Sequence, residues 1–91
     1  MIRIEARATG RVQGVGFRFF VDDCAAQSGV SGFVRNMPDG SVAIVAEGSD
    51  DALDRFLHLI QVPDRSRIRI DSLDVTRSMA TGEFAGFQIR L

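Results

Sequence analysis

Apolar side chains in this chain of 91 residues twice change their spacing, from the alternation of a strand to the turn of a helix and back. In "IRIEARAT" (2–9), Ile2, Ile4, Ala6 and Ala8 fall on one side and Arg3, Glu5, Arg7 and Thr9 on the other, which predicts a half-buried strand. From Phe17 the inward positions become Phe20, Val21, Cys24, Ala25 and Ser28, the i, i+3, i+4, i+7 stripe of a helix. Gly29 and Val30 read as its stop: glycine supplies a left-handed residue and valine folds back on the last turn. "SGFVRNM" (31–37) and "SVAIVAEG" (41–48) are strands joined by the turn "PDG" (38–40), where Pro38 presets φ and Gly40 accepts a positive one.

The second cycle begins in "SDDALDRFLHLIQV", with Ser49 or Asp50 as N-cap and acids in the first turn. Leu53, Phe56, Leu57 and Ile60 form its buried stripe and Pro63 ends it. "RIRIDSLDVTR" (67–77) is extended, but its apolar phase slips between Ile70 and Leu73, which predicts a bulge or bend. "GFQIRL" (86–91) places Phe87, Ile89 and Leu91 on one face of a short last strand. The order is β-α-β-β-α-β plus that strand. Its most economical packing is an α+β, ferredoxin-like split βαβ sandwich, a mainly antiparallel sheet with both helices on one face. No linker or longer repeat interrupts it, so residues 1–91 are expected to form one domain.

Composition closes off several chemistries. No apolar run approaches the ~18 residues of a membrane span, and "MIRIEARATG" alternates charged and apolar residues unlike a signal peptide. A cytoplasmic protein with no membrane association is the expectation. The net charge of −1 provides no basic field for nucleic acid. All the basic residues are arginine, which removes Schiff-base chemistry and the lysine of a Walker-type phosphate loop. One cysteine and one histidine cannot assemble the usual zinc site, and an internal disulfide is impossible.

In a split βαβ unit the first two strands run parallel with the third between them, so residues 10–18 and 35–37 emerge at the same sheet edge. Strand spacing separates those backbones by roughly 10 Å, room for an object the size of a phosphate. The segment "GRVQGVGFR" (10–18) also runs directly into a helix start, where N–H groups lack partners and the peptide dipoles favour an anion. Gly14 and Gly16 let successive amides point into one concavity. Arg18, in the first helical turn, is directed back over the loop, where its guanidinium can fork two phosphate oxygens. The segment lacks the third glycine of a dinucleotide fingerprint. The alternative is a glycine-rich turn with an incidental arginine, and Arg11 has no evident role.

Asn36 ends the second strand, where asparagine commonly caps a turn through its own backbone. Its place opposite the loop allows it instead to hold a water beside a bound anion, orienting it without acting as a base. His58 falls on the outward face of the second helix and Cys24 on the buried stripe of the first. Asp22 and Asp23 lie toward the polar side of the first helix, and Asp50 and Asp51 are ordinary first-turn charge, so no carboxylate pair suits acid–base work. Arginines 65, 67, 69 and 77 are interleaved with aspartates 64, 71 and 74, and the strands lack the aromatic platforms of an RNA-binding sheet.

"GRVQGVGFR", followed by "SGFVRNMPDGSVAIVAEG" and ending in "TGEFAGFQIRL", strongly resembles the acylphosphatases over essentially the whole chain. The resemblance implies hydrolysis of the mixed anhydride of an acyl phosphate to a carboxylate and inorganic phosphate. By that likeness Arg18 is the phosphate-binding arginine and Asn36 positions the attacking water. The amides of Gln13, Gly14, Val15, Gly16, Phe17 and Arg18 form the phosphate cradle. No metal, cofactor or phosphoenzyme is implied, and a monomer acting on a small-molecule acyl phosphate is expected. Phe33 stands where many relatives carry tryptophan, and the first helix, "FFVDDCAAQSG", is unusually acidic. A similar domain begins larger hydrogenase-maturation proteins that handle carbamoyl phosphate; the length here favours the stand-alone enzyme. The competing class is a non-catalytic ferredoxin-like module that binds a phosphate-bearing ligand or a partner protein.

Overall fold

The structure, a computed structural model, describes residues 1–62 and 67–91. Its elements are β1 (Ile2–Arg11), α1 (Phe17–Ser28), β2 (Ser31–Asn36), β3 (Val42–Gly48), α2 (Asp50–Ile60), β4 (Arg69–Met79) and β5 (Phe87–Arg90). They form a ferredoxin-like sandwich whose five-stranded sheet has the order β4-β1-β3-β2-β5. β1 pairs antiparallel with β3 and β4, β2 antiparallel with β3, and β5 parallel with β2. β1 and β2 therefore run parallel on either side of β3, as the split βαβ order predicts.

One side of each central strand faces the helices. Ile4, Ala6 and Ala8 of β1, Val34 of β2 and Ile44 and Ala46 of β3 meet Phe17, Val21, Cys24 and Ala25 of α1 and Leu53, Phe56 and Ile60 of α2. Fully burying a side chain such as Phe56 contributes roughly 1.5–3 kcal/mol, so this layer is the main source of stability. Phe20, Ser28 and Leu57 are half-buried at its rim. Of the two candidates, Ser49 is the N-cap of α2, its side chain accepting from Ala52 N. Gly29 (φ 76°) ends α1, and Val30 is buried beyond it. α2 stops at Ile60; Pro63 lies outside the described residues, as do Asp64 and Arg65.

The phase slip in the fourth strand is a bulge. Thr9 pairs with Ser72 and Gly10 with Ile70, leaving Asp71 without a partner in the ladder. Leu91 departs from expectation: it lies beyond β5, fully exposed, because the strand pairs with β2 only through Arg35–Arg90.

On the other side of the sheet, the segment that follows β4 packs over the part around Phe33 and Glu47. Glu47 of β3 is buried there and accepts from Thr81 N (2.9 Å), Thr81 Oγ1 (3.0 Å), Gly82 N (3.0 Å) and Arg3 Nη1 (3.2 Å). These bonds, the Thr81 amide foremost, hold its carboxyl below the ordinary range. Phe84 packs edge-on against Phe33, with ring centroids 5.9 Å apart. No helix among the described residues is long and apolar enough to cross a membrane.

Candidate active site

Residues 12–16 carry the chain from the end of β1 to the start of α1. Gly14 (φ 72°) and Gly16 (φ 82°) both take the left-handed conformation, and Gly16 is the N-cap of α1 with no side-chain capping bond. A Cβ at either position would meet nothing within 4 Å, so backbone conformation and not space calls for glycine. Phe20 N donates to Gly16 O at 3.1 Å as the helix begins. The amides ahead of that bond have no acceptor within the helix.

The loop is fastened to the neighbouring β2–β3 turn. Gln13 Nε2 donates to Met37 O (2.8 Å) and to Ser41 O (2.9 Å), bridging both ends of the β2–β3 turn. That turn is itself closed by Asp39, whose carboxylate accepts from Ser41 Oγ (2.6 Å) and Ser41 N (3.0 Å) and lies 3.6 Å from Arg7. The Ser41 hydroxyl is the main reason the Asp39 carboxyl titrates below its usual range.

Arg18, in the first turn of α1, donates from Nη1 to Arg90 O at 2.9 Å. One of five guanidinium N–H groups is thereby used and the plane is held by β5, leaving the remaining donors for an anion. The Arg90 guanidinium in turn lies 4.1 Å over the Phe33 ring. Asn36 closes β2 in register with Val42, which puts its side chain on the helix side of the sheet. Its Oδ1 is buried and accepts no hydrogen bond.

Arg18 and Asn36 line one cavity of about 150 Å³ together with Gly14, Gly16, Phe17 and Phe19. It combines helix-start amides, a guanidinium and an unpaired carbonyl acceptor. An orphaned buried acceptor costs roughly 1–3 kcal/mol, so Asn36 is not placed there for stability. The arrangement can hold a tetrahedral oxyanion through N–H donors and offer a neighbouring acceptor to a water.

The residues singled out in the sequence separate clearly. Arg18, Asn36, Gly14, Gly16 and Phe17 share the cavity. The Gln13 side chain turns instead to the β2–β3 turn, and Val15 packs partly buried against the core. Cys24 is buried, its thiol pushed up to about 11 mainly by loss of solvent. His58 is exposed on α2, and Arg11 is exposed at the end of β1 outside this cavity. Sequence reasoning missed the Gln13 bridge, the Arg90 carbonyl behind Arg18, and Phe19, which lines the cavity while 70% exposed. An amphipathic reading of α1 leaves Phe19 on the outward side without a function, and no local signal marks the Arg90 carbonyl.

Comparison with known proteins identifies the family. A sequence model of the acylphosphatase family matches residues 4–89. An acylphosphatase of Salinibacter ruber is 46% identical over 88 residues, covering 97% of this chain and 92% of its own. The crystal structure of acylphosphatase from Bacillus subtilis superposes with a TM-score of 0.90 at 34% identity, covering all of both chains. Full-length HypF in its phosphate- and nucleotide-bound form matches with a TM-score of 0.86 at 30% identity, over 99% of this chain but 12% of that one. On sequence and fold alike, over nearly its whole length, this chain belongs to the acylphosphatase family.

Proposed function

We propose that this protein hydrolyses acyl phosphates to a carboxylate and inorganic phosphate without a metal ion. One observation carries the reading: Arg18, the start of α1 and the unpaired Oδ1 of Asn36 share a single small cavity. The amides of residues 13–18 and the Arg18 guanidinium hold the phosphoryl oxygens. Asn36 Oδ1 accepts a hydrogen bond from a water and directs its lone pair at phosphorus. The water oxygen forms the new P–O bond as the bond to the acyl oxygen breaks on the opposite side, and the electron pair leaves with the carboxylate. A phosphoryl oxygen takes the proton that the water loses. A carboxylate is a good leaving group, so positioning and charge stabilisation suffice and no strong general acid is needed.

The names of the relatives and the donor set of the cavity support the same reaction. Phosphate release from benzoyl phosphate, with and without excess EDTA, tests it. Turnover that persists in EDTA is expected. Saturable phosphate binding without turnover would show instead a ligand-binding module, and loss in EDTA restored by a divalent ion would overturn the metal-free mechanism.

A further inference from the structure

Six of the 7 phenylalanines pack ring against ring: Phe17 with Phe20, Phe33 with Phe84 and Phe56 with Phe87, at centroid distances of 6.5, 5.9 and 5.9 Å. Phe19 is the exception. It is 70% exposed and makes no ring contact among the described residues. Single exposed apolar side chains are common on protein surfaces, so exposure alone assigns no role. Position sets this one apart. Met1, Val62, Val75, Met79 and Leu91 are also large, apolar and exposed, but of these residues Phe19 alone borders the cavity of Arg18 and Asn36.

Val12 and Phe17 line that cavity too, but both are almost wholly buried, so Phe19 provides its exposed apolar surface. Volume decides which part of a substrate meets the ring. About 150 Å³ accommodates a phosphoryl group and its water, but falls below the roughly 300–1,000 Å³ that encloses a whole organic ligand. Once its phosphate is seated, an acyl group of more than a few atoms must project past the rim. Phe19 directly follows Arg18 in the first turn of α1, so the helix fixes the position of the ring relative to the guanidinium. We propose that Phe19 is a specificity-determining residue whose ring receives the apolar body of the acyl group while Arg18 and the loop amides hold the phosphate. This rests on the acyl phosphate hydrolysis proposed above and adds that aromatic acyl groups are favoured over small ones. The exposed ring gains cover only when such a group is bound, and stacked or edge-on ring pairs attract beyond their area of contact.

The test compares benzoyl phosphate with acetyl phosphate, which share the reacting group and differ in the ring. Phe19→Gln keeps a good helix former at an exposed site and removes the aromatic face. In the full-length protein this variant should lower the benzoyl-over-acetyl ratio of kcat/KM about fivefold, through a higher KM for benzoyl phosphate. Phe19→Trp, which restores a ring, should keep the wild-type ratio. Met79→Gln, at an exposed apolar residue of β4 outside the cavity, should keep it as well. The inhibition constant of inorganic phosphate separates the ring from the cradle, because phosphate carries no acyl group. A fivefold rise of that constant in Phe19→Gln would show that the ring supports the cradle and would overturn the proposal. An unaltered ratio in Phe19→Gln, or an equal fall in Met79→Gln, would overturn it too and leave the hydrolase reading standing. A wild type that hydrolyses neither compound would overturn both.

Discussion

Replacing Gln13 by methionine preserves an unbranched side chain of similar length but removes the donor that joins the loop to the β2–β3 turn. Two hydrogen bonds are lost, at 2.8 Å to Met37 O and 2.9 Å to Ser41 O. Neither carbonyl is orphaned: Met37 O still accepts from Gly40 N at 3.1 Å, and Ser41 O from Met37 N at 2.8 Å. The cost is therefore that of the bonds alone, about 2 kcal/mol at about 1 kcal/mol each. For a domain of this size that lowers Tm by about 10 °C. The same change releases the amides of the cradle from a fixed position relative to Asn36, and misplacement by a fraction of an ångström should lower kcat/KM about tenfold. Urea denaturation with an unchanged m-value and benzoyl phosphate kinetics measure the two effects separately. A stability loss below about 0.5 kcal/mol would show that the bridge contributes little. A full stability loss with unaltered kinetics would refute the claim that it positions the cradle.

Arg18→Ala should lower kcat/KM by at least ~10²–10³ with folding intact, and Arg18→Lys should restore only part, since an ammonium cannot fork two oxygens. Asn36→Ala should reduce kcat by about 10²-fold while stability stays level or rises, because the acceptor it deletes is unpaired; a fall in Tm would contradict this. Glu47, with its folded carboxyl held below the ordinary value of 4.5, contributes stability that is whole above that value and is lost as pH falls through the folded one. Glu47→Gln should thus be less stable at neutral pH and show a flatter loss in acid, read from urea midpoints across the acid range.

Much of this protein is written locally. Periodicity alone assigns the elements, because burial of one face imposes a period of two on strands and about 3.6 on helices. The slip between Ile70 and Leu73 announces the bulge at Asp71, since an unpaired residue reverses the facing of all that follow. The glycines of 10–18 declare a loop shaped by positive φ, and the split βαβ order brings Asn36 to the same edge. What the loop is held by is not local. Arg18 is fixed by a carbonyl 72 positions away, on a strand whose pairing with β2 no pattern near Arg18 reveals. Glu47 reads as one polar residue in a strand until Thr81 and Gly82 fold over it. Asn36 could have satisfied itself within its own turn, and only the packing of α1 against β2 leaves its oxygen buried and unpaired. The elements, their order and the glycine loop are legible along the chain, because these depend on sequence neighbours. Which donors converge on the cavity and which acceptor stays free is settled only on folding, because hydrogen bonds between distant residues depend on how the layers dock.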